Sequence, residues 1–141
     1  MSQRRVVITG LGQVSPVGND VETAWKNLLD GKSGIDTITR FDASELTCQV
    51  AGEVKDFDIG SYISAKEARR MDVFIHYGIA AALQAIADAG LDETPDLDKY
   101  RVGGNIGSGI GGLPSIEAMG TVVQASGPRK INPFFIPGSL I

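Results

Sequence analysis

Two apolar runs rich in β-branched residues, Arg5–Val14 and Arg101–Ile106, have the composition of strands buried in a parallel sheet. After the first run, apolar residues recur at helical spacing. This helix can be capped by Asn19 or Asp20 and ends at Gly31. The order of strand, loop and helix predicts an α/β fold.

The most regular helical pattern lies in the middle of the chain. Ser64 and Glu67 have capping-box spacing, and apolar residues then recur every three or four positions until Gly90. We therefore predict one long helix that packs closely on both sides. A further helix is predicted over Leu113–Gln124, and Pro137 is placed to start another. Residues 31–58 lack a sustained period and predict an irregular excursion with short strands.

The second predicted strand runs directly into a glycine-rich stretch. Gly107, Gly109, Gly111 and Gly112 can adopt positive φ and allow another group to approach the main chain closely. That group is a phosphate, an acyl chain or a packed helix. Three of these glycines match G-x-G-x-x-G, but a basic turn stands where a dinucleotide site has its acidic residue about 20 positions on, which disfavours nucleotide binding.

The composition is that of one ordinary soluble domain. The chain has 141 residues, of which 43% are hydrophobic and 21% charged. A net charge of -4 disfavours nonspecific binding to nucleic acid. No segment approaches the ~20 apolar residues of a membrane helix. The single cysteine, Cys48, excludes an internal disulfide and a cysteine-based zinc site, and we expect a cytoplasmic protein.

Three cations lie together at the start of the predicted long helix. Lys66, Arg69 and Arg70 are spaced i, i+3 and i+4, so they share one face. Such a patch on an acidic protein is typical of docking to an acidic partner or a phosphate. The alternative is a solvated face that is balanced by Glu67 and Asp72.

The C-terminal part holds a second cationic cluster and a stiff apolar segment. Arg129 and Lys130 form the cluster, with the same two interpretations. Phe134, Phe135 and Ile136 stand between two prolines. They are suited to core packing, a subunit interface or the wall of an apolar pocket.

No catalytic site is predicted from the residues themselves. Cys48 lies in the irregular excursion with no histidine near it in sequence, and His76 lies inside a predicted helix. A nucleophile and its base must converge in space, and nothing in the pattern predicts that they do. Ile141 ends the chain on exposed apolar residues, so we expect a truncated chain.

Four blocks, in order, carry a family resemblance: RRVVITGLGQVSPVGN, SAKEARRMDVFIHYG, NIGSGIGG and GPRKINPFFIPGS. Over residues 2–141 the chain resembles the N-terminal part of β-ketoacyl-acyl-carrier-protein synthase II, the elongating condensing enzyme of bacterial fatty acid synthesis. The resemblance implies an α/β fold, the N-terminal part of a thiolase-like αβαβα layered fold that is incomplete in this chain. It also implies a homodimer.

The same resemblance implies decarboxylative Claisen condensation of malonyl-acyl-carrier protein with an acyl chain on an active-site cysteine. That cysteine, with the two histidines and the lysine that support it, lies beyond the position matching Ile141. Residues 1–141 are thus expected to be the first part of the first thiolase-like half and inactive alone. No metal or cofactor is expected, because the carrier protein brings the phosphopantetheine. The alternatives are a noncatalytic chain-length subunit and a segment of a polyketide ketosynthase.

The resemblance also implies roles for particular residues. Ile110 is assigned to the wall and gate of the acyl pocket, and Phe135 and Ile136 to the dimer interface, where they close the partner's pocket. The full acyl-pocket set is Gly109, Ile110, Phe135 and Ile136. Docking of the acyl carrier protein is assigned to Lys66, Arg69, Arg70, Arg129 and Lys130.

Overall fold

The computed structural model describes residues 4–140. In these residues the helices are α1 Val21–Leu29, α2 Ala65–Ala68, α3 Val73–Asp88, α4 Leu113–Ser126 and α5 Phe135–Ser139, the strands are β1 Ile35–Thr37 and β2 Val50–Gly52, and 3-10 turns cover Ile59–Ser61, Lys99–Arg101 and Pro128–Lys130. The chain divides into two compact units. The first contains the residues up to Phe57 and Ala80–Pro95, and the second contains Asp58–Ile79 and the residues from Asp96 onward.

Helix α1 has the ends that its sequence predicts. The Asp20 carboxylate caps it by accepting hydrogen bonds from the backbone N–H of Thr23, at 2.7 Å, and from the Thr23 hydroxyl, at 2.8 Å. Gly31 follows its C-terminus with φ 68°, a conformation that glycine adopts without strain. Ala24 is buried, whereas Trp25 remains exposed.

The irregular excursion contains the short strands that were expected. β1 and β2 pair antiparallel, with Ile35 opposite Gly52 and Thr37 opposite Val50. Beyond the ladder, the Thr39 hydroxyl donates a 2.7 Å hydrogen bond to the Glu53 carboxylate. The prediction of an irregular excursion with short strands is confirmed.

The two predicted buried strands are wrong. Residues 5–14 and 101–106 contain no β-strand, and Val6 is 90% exposed and Ile8 82% exposed. A strand is defined by hydrogen bonds to a neighbour, and no described segment pairs with either run. The β-branched composition favours a strand, but composition alone cannot supply a ladder partner.

Part of the first run lies against helix α3 instead. A Cβ added at Gly10 or Gly12 would collide with the backbone of that helix. The backbone N–H of Leu11 donates to the Asp88 carboxylate at 2.8 Å, and the N–H of Gln13 donates to the Gln84 side chain at 3.0 Å. Helix side chains thus satisfy backbone donors that a sheet would otherwise use.

The predicted long helix is two helices, α2 and α3. The chain turns between them because the N–H of Asp72 donates to the carbonyl of Gly138 at 2.8 Å, where a continuous helix would use the carbonyl of Ala68. The Asp72 carboxylate instead accepts from the N–H of Val73 at 2.6 Å, at the start of α3. The Ala68 carbonyl accepts from the N–H of Met71 at 3.2 Å, and Nε2 of His76 lies 2.9 Å from the same oxygen.

The outer ends of α2 and α3 agree with the sequence. The N–H of Glu67 donates to the Ser64 hydroxyl, and the N–H of Ser64 donates to the Glu67 carboxylate, so the capping box is present. The hydrogen bond from the Ser64 hydroxyl is the main cause of a lowered Glu67 pKa. Gly90 ends α3 with φ 64°.

The C-terminal helices extend slightly beyond their predicted bounds. α4 continues to Ser126, with Pro114 in its first turn, and α5 begins two residues before Pro137. Among the described residues, no helix combines the length and the apolar character needed to cross a membrane.

Candidate functional site

Three segments of the second unit meet around one buried carboxylate, and we call this meeting point the Asp72 junction. The N–H of Asp72 donates to the carbonyl of Gly138 at 2.8 Å. The N–H of Gly112 donates to the carbonyl of Ser139 at 3.0 Å. The N–H of Ser115 donates to Oδ2 of Asp72, also at 3.0 Å. The turn before α3, the start of α4 and the end of α5 are therefore held together by polar contacts.

The close approach that the glycine-rich stretch predicts occurs at its last two residues. Gly111 has φ 81°, and a Cβ there would lie 2.7 Å from the carbonyl oxygen of Ser139. At Gly112 a Cβ would lie 2.8 Å from Oδ2 of Asp72. Both distances are too short for a real side chain, so the approaching groups are the chain's own turn and helix.

The start of α4 has no free place for a phosphate. Its N-cap, Gly112, has no side chain to accept a hydrogen bond, and the Asp72 carboxylate takes that position. An anion there would have to displace a carboxylate that is already bound. The sequence argument against nucleotide binding therefore gains a structural reason.

A cleft of about 160 Å³ opens beside the Asp72 junction. Its wall combines the side chains of Arg69 and Arg70 with the apolar groups of Met71, Met119 and Phe134. The guanidinium of Arg70 lies 4.4 Å from the centre of the Phe134 ring, within cation–π range. The sequence did not predict this cleft, because its walls come from segments far apart in the chain, with Arg69 and Met119 fifty residues apart.

The first cationic cluster is exposed, although it does not lie on one helix as predicted. Lys66 is in α2, Arg69 is the C-cap of α2, and Arg70 is in the turn that follows. Nε of Arg69 donates to the carbonyl of Ala65 at 3.0 Å, which fixes the direction of that side chain. The break between α2 and α3 separates the three cations from one continuous helix face but leaves all of them exposed.

The two carboxylates expected to balance this cluster, Glu67 and Asp72, have their closest polar contacts with other groups. Glu67 accepts a 2.6 Å hydrogen bond from the Ser64 hydroxyl, and Asp72 is buried in its junction. The ion pairs closer than 4 Å that the structure shows in residues 4–140 include Lys32 with Asp30 and Lys55 with Asp36, and none involves Lys66, Arg69 or Arg70. Among the described residues, the cluster thus forms no ion pair closer than 4 Å, although the pKa of Glu67 is lowered by Ser64 and further by the charges of Arg70 and Lys66.

The match to known proteins decides the family. Residues 3–140 match the model of the β-ketoacyl synthase N-terminal domain. The chain belongs to the β-ketoacyl synthase family. It is 55% identical over 141 residues to 3-oxoacyl-[acyl-carrier-protein] synthase 2 of Vibrio harveyi, a match that covers all of this chain and 34% of that protein. The chain spans about a third of the length of the curated relatives it matches.

Solved ketosynthases show the same fold. The ishigamide ketosynthase/chain length factor matches with a TM-score of 0.77 at 31% identity, over 98% of this chain and 34% of that one. A type II polyketide ketosynthase, solved in complex with its acyl-carrier protein, matches with a TM-score of 0.69 at 28% identity, over 91% of this chain and 34% of that one. The chain therefore has part of a thiolase-like α/β fold, as predicted.

The β-ketoacyl synthase fold places the predicted acyl-pocket residues near the Asp72 junction without gathering them into one cavity of the described chain. Ile110 is 74% exposed and Ile136 is 60% exposed. Phe135 is half-buried and lines the cleft, and nothing lies within 4 Å of a Cβ added at Gly109. Their acyl-pocket role stays a prediction.

The remaining predicted residues of this β-ketoacyl synthase segment are two exposed cations, an exposed cysteine and a histidine that contacts the backbone. Arg129 and Lys130 are exposed on the 3-10 turn after α4. Cys48 is exposed and free in the first unit, while the ring of His76 contacts the Ala68 carbonyl in the second. No group of three potential metal ligands occurs within residues 4–140.

Proposed function

We propose that the protein to which this chain belongs is an elongating 3-oxoacyl-acyl-carrier-protein synthase of fatty acid synthesis. Its 55% identity to a 3-oxoacyl-[acyl-carrier-protein] synthase 2 supports this assignment. The observation that carries the role of this segment is the exposed cluster of Lys66, Arg69 and Arg70, whose neighbouring carboxylates are already engaged. Glu67 offsets part of this charge, since its pKa is lowered by Ser64 and further by Arg70 and Lys66, but three exposed cations beside one exposed carboxylate leave a cationic surface that is suited to an acidic carrier protein.

The proposed reaction forms one carbon–carbon bond. Malonyl-carrier protein loses carbon dioxide, and the resulting carbanion attacks the carbonyl of an acyl thioester on an enzyme cysteine. The enzyme thiolate leaves, and a 3-oxoacyl-carrier protein is released. We assign no catalytic residue to this chain, because Cys48 is exposed without a base and the ring of His76 contacts a backbone carbonyl. The chain instead contributes docking and pocket residues.

We place carrier docking on the first cationic cluster together with Arg129 and Lys130. The acyl pocket is proposed to use Gly109 and Ile110, with Phe135 and Ile136 supplied across a homodimer interface. Ile110 and Ile136 are both exposed, so their side chains are free to contact groups outside the described chain. We propose that the segment needs no cofactor or metal of its own and that the protein works in the cytoplasm, where an exposed free cysteine such as Cys48 stays reduced.

A condensation assay tests the proposal. The full-length protein, loaded with an acyl group and given malonyl-carrier protein, should release carbon dioxide and a product two carbons longer. Residues 1–141 alone should release neither. Turnover by residues 1–141 would contradict our assignment of catalysis to other residues, and failure of the full-length protein would reject the synthase function.

A noncatalytic chain-length subunit is the second candidate. It is favoured by the likeness to the ishigamide ketosynthase/chain length factor, at a TM-score of 0.77. Mass spectrometry of the full-length protein after incubation with an acyl-carrier protein separates the two candidates. A covalent acyl adduct supports the synthase, whereas carrier binding without an adduct supports the chain-length subunit.

A further inference from the structure

Helix α4 receives its N-terminal cap from a distant part of the chain. Four N–H groups at the start of a helix have no partner within it, and a side chain at the N-cap usually accepts one of them. Gly112 cannot do so. Oδ2 of Asp72, forty-three residues earlier, accepts from the N–H of Ser115 instead. The N–H of Gly112 itself is taken by the carbonyl of Ser139.

The same carboxylate also begins α3. Oδ1 of Asp72 accepts from the N–H of Val73 at 2.6 Å, so its two oxygens serve the first turns of two helices. Asp72 is only 9% exposed and has no cation within 4 Å among the described residues. A buried charge must be compensated, and here the compensation comes from backbone N–H groups at two positive helix ends. Neither helix start can move freely without the other.

The surroundings leave little room for adjustment. A Cβ at Gly112 would press on Oδ2 of Asp72, and a Cβ at Gly138 would collide with the carbonyl of Arg70. Glycine is therefore used on two sides of the junction where backbones touch. In a region packed this closely, even a small added volume is felt by the neighbouring segments.

We propose that Asp72 is a positioning residue that fixes the glycine-rich stretch, and with it Ile110, relative to the turn that carries Arg69 and Arg70. This inference rests on the proposed function, and it adds a residue that touches neither the carrier nor the acyl chain. Asp72 stands two residues after Arg70, and its partner Ser115 stands five residues after Ile110. Removing the Asp72 carboxylate should allow the glycine-rich stretch to move and should reduce the selectivity between acyl chains of different length.

The test compares full-length wild type with Asp72→Ala, Asp72→Asn and Ile110→Ala. The readout is the ratio of kcat/KM for a short and a long acyl substrate. Any loss of folded protein lowers both values equally and cancels in this ratio. We expect Asp72→Ala to change the ratio about fivefold, in the direction of Ile110→Ala, which corresponds to about 1 kcal/mol. Asp72→Asn keeps one acceptor oxygen and should fall between Asp72→Ala and wild type.

The matched control is Asp88→Ala in the first unit. It also removes a carboxylate that accepts a backbone hydrogen bond, from Leu11 at 2.8 Å, and should leave the ratio unchanged. If Asp72→Ala lowered kcat/KM for both substrates by the same factor, Asp72 would be a structural cap and the inference would be overturned.

Amide hydrogen exchange gives a readout that does not depend on turnover. In Asp72→Asn, which retains the size of the side chain but only one acceptor oxygen, the N–H of Ser115 or that of Val73 should exchange faster than in wild type. Unchanged exchange at both N–H groups would overturn the inference even if Asp72→Ala failed to fold. A wild-type protein that does not condense carrier-bound substrates would instead reject the proposed function, so the two failures are distinguishable.

Discussion

The guanidinium of Arg70 lies over the ring of Phe134, 4.4 Å from its centre. One cation of the proposed docking surface thus packs on the aromatic residue that precedes α5. Arginine stacks on an aromatic face better than lysine does, because its guanidinium is planar and more weakly hydrated. The stack gives Arg70 a preferred direction at the rim of the cleft.

This stack should be measurable as a coupling energy. A double-mutant cycle with Arg70→Ala and Phe134→Leu should give about 0.5–1 kcal/mol in the free energy of unfolding, as expected for an exposed cation–π pair. Arg70→Lys keeps the charge and should lose part of that coupling. Additive effects of the two substitutions would show that the pair does not stabilise the protein.

Charge reversal should weaken carrier binding. Lys66→Glu with Arg69→Glu should raise the Kd for the acyl carrier protein by about tenfold or more at low salt, because like charges then face each other. The difference from wild type should shrink near 1 M salt, where the screening length is about 3 Å. Lys26→Glu, an exposed change on α1 in the other unit, is the control. An equal loss in the control would remove the docking assignment.

Two glycines of the glycine-rich stretch should respond differently to alanine. Gly111→Ala requires a side chain at φ 81° and 2.7 Å from the Ser139 carbonyl, so it should cost about 1–3 kcal/mol of stability. Gly109→Ala meets nothing within 4 Å and should change stability by less than about 0.5 kcal/mol. Unfolding in urea measures both. Equal midpoints would show that the close approach at Gly111 does not exist in solution.

The Asp20 cap of α1 should contribute to the free energy of unfolding, and this contribution should disappear in acid. The backbone N–H of Thr23, and then its hydroxyl, hold the pKa of Asp20 below its usual value. Because the folded pKa lies below the unfolded value of about 3.9, the contribution is fully present above about pH 4 and is lost as the pH falls through the folded pKa.

Asp20→Ala should therefore cost about 1 kcal/mol at pH 7, and this difference from wild type should narrow in acid. Asp20→Asn keeps an acceptor without the charge, so it should retain most of the stability and lose the pH dependence. Urea unfolding from pH 7 down to pH 2 gives both curves. A constant gap between Asp20→Ala and wild type across this range would contradict the assigned cause.

Features set by neighbours in sequence were predictable. The cap at Asp20, the stop at Gly90 and the capping box of Ser64 with Glu67 depend on bonds within a few residues. The two buried strands were predicted wrongly, because a strand requires a hydrogen-bonded partner and no local sequence pattern shows whether one is present. The cationic cluster could be read from residue types and spacing. The Asp72 junction could not, because Asp72 and its partner Ser115 lie forty-three residues apart in the chain.

The contact between the first apolar run and α3 depends on a match between the residue spacing of an extended chain and that of a helix. Leu11 and Gln13 are two residues apart and bond to Asp88 and Gln84, which are four apart on the helix. Two extended residues span about 6.7 Å, and four helical residues rise about 6 Å. Gly12, between the two donors, falls where the helix backbone is nearest. A slip of one residue would press a large side chain onto that backbone, so the segment has one permitted alignment along α3.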